Sequence, residues 1–343
     1  MKIAQIAPLA ERVPPRKYGG TERVICALTE ELVARGHEVT LFASGDSETT
    51  AKLESVFPRS LREAKQKDLY GTNTWTLLNL GFAYELQDEF DIIHDHLAPL
   101  SLPTANLATT PVVMTMHGAF TMDNRKLFQT FRTPHIVTIS QAQMHPLPNI
   151  NHAGTVYNGL TMDHYPISDE RDEYLLFVGR ISIEKGVHMA IEIAQQSDRE
   201  LIIAAKLDKQ DMPYYRDYVE PHLSDRIRWI GEVDEIERNK LMSRAFAFVH
   251  PVTWREPFGL VLIEAMACGC PVVAFEQGSI PEIVKPGMSG FVVQDVNTAV
   301  EALESIPNID RNKCREYALT NFSAKAMTDG YENVYKQILE QTK

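Results

Sequence analysis

At 343 residues the chain is too long for one ordinary hydrophobic core, and about 150 residues per domain predicts two domains. With 44% apolar and 23% charged residues it has the composition of a water-soluble globular protein. No apolar run approaches the roughly 20 residues of a membrane span. The net charge of −12 argues against nucleic acid as the main partner, which would favour a basic face.

That charge is unevenly shared. Residues 1–160 hold 14 Lys and Arg against 16 Asp and Glu, and the remainder hold 20 against 30. Any phosphate is therefore expected to be held by a few placed groups, not by a general field. The four cysteines (Cys26, Cys268, Cys270 and Cys314) show no disulfide framework spacing, as expected of small core residues in a reducing cytoplasm.

Strands and helices alternate from end to end. KIAQIAPL at 2–9 reads as a first strand and not as a signal peptide, its apolar run being short and without a convincing cleavage site. A loop with Pro14, Pro15, Gly19 and Gly20 leads into a helix over Thr21–Arg35, striped by Val24, Leu28 and Leu32 and ended by Gly36. EVTLFAS, FDIIH, PVVMTMH, HIVTIS and GTVYN follow as mostly continuous apolar runs, the mark of parallel strands covered on both faces. The second half repeats the plan with YLLFVG, ELIIAAK, RIRWIG, FAFVHPV, PVVAFE and GFVVQ. Helical stretches KGVHMAIEIAQQ, EIERNKLMSRA and FGLVLIEAMAC lie between them. The expected fold is α/β: two Rossmann-like, doubly wound parallel-sheet domains facing across a cleft. The polar run SDERDE sets the boundary, giving domains over 1–167 and 168–323. A last helix near 324–343 has no strand after it and could cap either domain, crossing back to the first in one case.

Ligands of open α/β sheets bind beyond the carboxyl ends of the strands, so the loops after strands are the places to look. Gly19 and Gly20 precede a helix, whose amino terminus suits an anion, although two such glycines also make a simple turn. His94, His96 and His117 fall at strand ends. No carboxylate or cysteine completes a familiar ligand spacing, so no metal is expected. His117, followed by Gly118, is assigned to a substrate and His94, inside its strand, to structure. Arg180 and Lys185 share a loop that opens a helix, where a guanidinium fork and an ammonium can converge on a diphosphate. Lys206 is a further strand-terminal cation.

The stretch EPFGLVLIEAMACGC poses the sharpest question. Pro257 precedes a helix whose first amides, those of Phe258, Gly259 and Leu260, have no intrahelical partner. Glu256 stands just outside that end, and Glu264 lies two turns along among apolar residues. A buried carboxylate needs compensation. Carboxylates at this spacing can accept hydrogen bonds from sugar hydroxyls at two points of an extended ligand, each worth about 1.5–3 kcal/mol.

Taken together, YGGTERV, TMHGAF, VYNG, VGRISIEKG, EPFGLVLIE with its E-x7-E spacing, and AMACGCPVVA resemble the retaining nucleotide-sugar glycosyltransferases of family 4, which have the GT-B fold. The resemblance runs over essentially the whole chain in order. It implies that Arg180 and Lys185 bind the donor diphosphate and that Glu264 accepts from the ribose hydroxyls. It also implies that Glu256, with the amides of Phe258, Gly259 and Leu260, holds the donor sugar and phosphate. Gly19 and Gly20 would approach the diphosphate, His117 would lie beside the reacting carbon with His96 near the donor, and Val233 would read the base through its backbone. Lys206 matches less firmly. His117, Glu256, Arg180 and Lys185 are thus the expected catalytic set.

The resemblance further implies transfer with retention, no cofactor and no metal, the donor being a substrate, with a UDP-sugar such as UDP-glucose as the first candidate. The acceptor carries no readable code: it is a small molecule, a saccharide or a lipid-linked hydroxyl. Arg12, Arg16, Lys17 and Arg23 either grip an anionic acceptor or form a solvated loop. SLREAKQK at 60–67 suggests a basic helix that either touches a membrane peripherally or is simply solvated. Two other classes stay open, a nucleotide-sugar epimerase or hydrolase on the same fold and a non-catalytic nucleotide-sugar-binding subunit. Turnover of donor without acceptor separates the former, and the joint presence of both glutamates and both cations disfavours the latter.

Overall fold

The computed structural model describes residues 1–16, 19–65, 69–144 and 149–341. The chain divides into two compact units. One comprises Met1–Thr161 with Phe322–Lys343, the other Met162–Asn321.

The first unit is built on a seven-stranded, all-parallel sheet with strands β1 (Lys2–Ile6), β2 (Glu38–Phe42), β3 (Lys52–Glu54), β4 (Ile92–Asp95), β5 (Val112–Met116), β6 (His135–Thr138) and β7 (His152–Thr155), in the order β3-β2-β1-β4-β5-β6-β7. The order reverses at the β1–β4 junction, which is where doubly wound sheets open a crevice. Ile3, Ile6, Ile93, Val113 and Met114 are fully buried. That is why these strands read as continuous apolar runs. The expected first helix spans Gly20–Ala34 and turns off where Gly36 N donates to Val33 O.

The second unit carries a six-stranded parallel sheet of β8 (Leu175–Arg180), β9 (Leu201–Lys206), β10 (Ile227–Gly231), β11 (Ala247–His250), β12 (Val272–Phe275) and β13 (Gly290–Val293), in the order β10-β9-β8-β11-β12-β13. Its order reverses between β8 and β11.

Two sequence expectations are corrected, the domain boundary and the basic helix at 60–67, and the open one, the place of the last helix, is resolved as a crossing back to the first unit. The division falls at Thr161/Met162 and not at 168, because Tyr165 is buried against the second unit, its hydroxyl donating to Glu264 and its carbonyl accepting from Arg315. The polar run at 168–173 is therefore an internal surface loop. The helix Ala324–Gln341 joins the first unit: Arg35 pairs with Asp329 (2.7 Å) and Glu332 (3.2 Å), and His37 meets Glu332 at 2.7 Å. The chain enters that helix beside Gly159, where any Cβ would lie 2.2 Å from Ser323 O, so only glycine fits. Finally, residues 61–65 form turns instead of the basic helix suggested for 60–67, whose remaining positions lie outside the described residues. Arg62 there is tied to Glu11 at 2.5 Å. Among the described residues no helix is long and apolar enough to cross a membrane.

Candidate active site

In the second unit the two strands at the reversal supply the loops that meet. β8 ends in Arg180 and runs through a single 3-10 turn, Ile183–Lys185. β11 ends in His250 and leads to Glu256 and the helix Leu260–Ala267. The loops join through Lys185 Nζ and Glu256 Oε2, 2.6 Å apart. Trp254 Nε1 donates to the same oxygen at 3.0 Å, the Lys185 ammonium lies 5.0 Å from the Trp254 ring centroid, and His250 Nε2 stands 3.8 Å from Glu256 Oε2. Burial alone would raise the Glu256 carboxyl, but His250 and Lys185 outweigh it and hold the group down at about 2. Glu256 is thus a buried, ionised carboxylate with a cation at contact. Neither Trp254 nor His250 was singled out from sequence, although both sit within the FAFVHPVTWRE stretch.

The backbone here is fixed from behind. Ser279 N donates to Glu256 O at 3.0 Å and Ser279 Oγ to Phe258 O at 2.8 Å. Gly278, at φ 56°, presses so close that a Cβ would lie 2.3 Å from Glu256 O. A side chain at position 278 would push the Glu256 loop out of place. Gly259, itself at positive φ, is the N-cap of the helix Leu260–Ala267, with Phe258 buried before it.

Glu264 is 3% exposed, and its compensation is the guanidinium of Arg238, whose Nη2 lies 2.6 Å from Glu264 Oε1. Tyr165 OH donates to the same oxygen at 3.4 Å. Arg238 comes from the neighbouring helix Glu235–Arg244, which Asp234 caps by accepting from Glu237 N at 2.9 Å. In sequence Arg238 is one charge in the polar run EIERNK, and nothing in that run marks it as facing inward.

The other two cations singled out from the sequence of this unit are also matched to carboxylates. Arg180 pairs with Glu184 and stands 3.7 Å from Asp211, and Lys206 meets Asp208 at 2.8 Å. Val233 follows β10, half-buried, just before the Asp234 cap.

In the first unit, Gly19 caps the helix that Gly20 begins, at the end of the loop after β1. His96 follows β4 and His117 follows β5, and they meet at 2.9 Å. Burial lowers both imidazoles, His117 to about 4. Gln143 holds the His117 loop: its Nε2 donates to Met116 O (2.7 Å) and Gly118 O (2.6 Å), while Ile139 N donates to its Oε1. His94 is fully buried and bonded to Thr115 and Tyr335. Of the suggested acceptor cluster, Arg12 pairs with Glu48 at 2.8 Å and Arg16 with Glu63 at 3.4 Å. Lys17 lies outside the described residues. These pairs disfavour an anion grip by that loop.

Glu22, in the first turn of the helix Gly20–Ala34, is 6% exposed, and burial raises its carboxyl from 4.5 to about 7, with nearby Glu11 adding to the shift. The folded state therefore binds a proton that the unfolded state has lost. Stability from this group is fully present below pH 4.5 and is lost as pH rises through about 7, by about 3 kcal/mol. Denaturant titrations at pH 5 and pH 8 are expected to show Glu22→Gln losing much less stability than the native chain over that interval. Equal losses in the two proteins would refute this.

The description "Glycosyl transferases group 1" matches residues 165–320 and "Glycosyltransferase Family 4" matches residues 18–160. An uncharacterized glycosyltransferase of Methanocaldococcus jannaschii is 26% identical over 99% of both chains. The N-acetyl-alpha-D-glucosaminyl L-malate synthase of Bacillus anthracis is 24% identical over 95% of this chain and 96% of its own. The Anabaena protein HepE, solved in complex with UDP and glucose, has the same fold, with a TM-score of 0.73 and 19% identity over 98% of this chain and 99% of that one. The chain belongs to the family 4 glycosyltransferases of the GT-B fold, and it is an enzyme of that class.

Proposed function

We propose that the protein moves a sugar from a nucleoside diphosphate sugar to a hydroxyl acceptor with retention of anomeric configuration, and that the donor is a UDP-sugar, UDP-glucose first. The observation that carries this reading is the Lys185–Glu256 contact at 2.6 Å, at the strand-order reversal of the second sheet and beside the amino terminus of the helix Leu260–Ala267. Glycosyl transfer builds positive charge on the sugar and negative charge on the departing diphosphate. A fixed ammonium and aligned helix amides stabilise the second, and a buried carboxylate suits the first. Arg180 adds a guanidinium to the diphosphate side, and Lys206 a more distant charge.

Glu264, held by Arg238, serves the ribose, and Val233 presents its backbone to the base. In the first unit, the residues assigned to the donor are His96, His117 and the Gly19–Gly20 turn. The acceptor oxygen attacks the anomeric carbon on the face the diphosphate leaves, the bond to the departing oxygen breaks, and that phosphate takes the acceptor proton. No metal or cofactor is required in this scheme, and EDTA is expected to leave the rate unchanged. The free thiols of Cys26, Cys268, Cys270 and Cys314 suit a cytoplasmic setting.

A panel of UDP-, GDP- and ADP-sugars tests the reading by released nucleotide, first without acceptor and then with a set of small-molecule, saccharide and lipid-linked alcohols. Release that depends on an acceptor and yields a product of retained configuration is expected. Equal release without acceptor would make the protein a hydrolase, conversion of the donor sugar without release an epimerase, and neither with any donor would leave only a binding role.

A further inference from the structure

A continuous hydrogen-bonded chain crosses the interior of the first unit. His117 Nε2 lies 2.9 Å from His96 Nδ1, and His96 Nε2 lies 2.7 Å from Gln5 Oε1. Gln5 Nε2 donates to Tyr335 OH at 3.4 Å, and that hydroxyl lies 2.6 Å from His94 Nδ1. His94 Nε2 continues to Thr115 Oγ1 at 2.7 Å, which meets Tyr331 OH at 2.7 Å. Gln5, His94, Thr115, Tyr331 and Tyr335 have no exposed surface, and His96 is 3% exposed. The three imidazoles lie in sequence, His94 and His96 tilted with centroids 4.0 Å apart and His96 and His117 stacked at 5.2 Å.

Each partner here limits the next. Neutral imidazole, the form that burial favours for all three rings, donates from one nitrogen and accepts at the other. A glutamine oxygen only accepts, so His96 carries its hydrogen on Nε2 and presents a lone pair at Nδ1. That lone pair requires a donor, so His117 carries its hydrogen on Nε2. His117 Nδ1 is then left as an acceptor. The amide orientation of Gln5 starts this sequence. Tyr335, from the C-terminal helix, favours that orientation, because its hydroxyl accepts from Gln5 Nε2 at 3.4 Å and lies 2.6 Å from His94 Nδ1.

We propose that Gln5 and His96, oriented by Tyr335, are positioning residues that lock His117 as its Nε2–H tautomer, so that His117 accepts a hydrogen bond from a hydroxyl of the bound sugar and cannot donate one. The proposal rests on the assignment of His117 to the donor sugar made above. It adds a specificity rule: the sugar must present a hydroxyl hydrogen to His117, and an analogue with fluorine or hydrogen in place of that hydroxyl binds more weakly. Replacing a hydroxyl that donates to His117 is expected to raise donor KM roughly threefold to tenfold, the worth of one neutral hydrogen bond.

Nitrogen NMR of the full chain labelled at histidine reads the tautomers directly, with His96→Asn and His117→Asn used to assign the signals. Nε2–H is expected on both His96 and His117. The acceptor that this state requires at position 5 is the Gln5 oxygen. Gln5→Met, which offers none, is expected to give a mixed His117 tautomer and a KM raised threefold to tenfold with kcat within about twofold. Nδ1–H on His117 in the native chain overturns the proposal whether or not sugar is transferred. So does an unchanged His117 tautomer in a folded Gln5→Met. The expected tautomers in a protein that transfers no sugar would uphold the lock and count against the assigned function alone.

Discussion

Lys185→Ala is expected to lower kcat by roughly 10²–10³-fold, the usual loss when one fixed group that stabilises developing negative charge is removed. The ammonium is held by Glu256 at 2.6 Å and by the Trp254 ring at 5.0 Å from its centroid, so it needs no reorganisation as the diphosphate departs. Arginine at this position carries the charge but not the compact geometry and is expected to recover only part of the rate. Glu256→Gln should act in the same direction, because it removes both the carboxylate beside the sugar and the partner that places Lys185. Steady-state kinetics with the preferred donor checks both. A kcat within threefold of native in either variant would remove that residue from the mechanism.

Arg238→Met is expected to destabilise the protein by about 3–5 kcal/mol, the range for breaking a buried ion pair from one side. Glu264 is 3% exposed with Arg238 Nη2 at 2.6 Å, so methionine strips the cation from a carboxylate that water does not reach. For a unit of this size the loss corresponds to a melting point lower by about 10 °C. Adding Glu264→Gln to that variant should restore most of the stability, since removing both charges is often close to neutral. Donor affinity should fall in the double variant regardless, because the ribose acceptor is gone. A single Arg238→Met that melts within about 2 °C of native would show that the pair contributes little.

How much of this was legible in sequence depended on whether a signal was local. The strands were, because a strand covered on both faces is a run of apolar residues, as in β5 and β11. Edge strand β3 was not: Lys52–Glu54 has one apolar residue and pairs only with β2. The loops carrying Arg180, Lys185, Glu256 and His117 were legible because a strand end followed by a helix start fixes where a ligand can approach. Their partners were not. Arg238 reaches Glu264 from another helix, and Gln5 reaches His96 across two adjacent strands whose distance in sequence hides the contact. The isolated carboxylate at 264 was read correctly as needing compensation. The cation that supplies it is a pairing of tertiary structure, and no periodicity points to it. The destination of the last helix was equally hidden, because it is set by Arg35 and His37, nearly three hundred residues upstream.

The most direct test of the central claim, that the second unit holds a nucleoside diphosphate through Arg180, Lys185, Glu264 and the helix Leu260–Ala267, is a melting measurement on the full chain with UDP, GDP and ADP in turn. At about 100 times its dissociation constant one of the three should stabilise the fold by about 2.7 kcal/mol, and Lys185→Ala should lose most of that shift at the same concentration. No shift with any of the three nucleotides, up to millimolar concentration, would contradict the account.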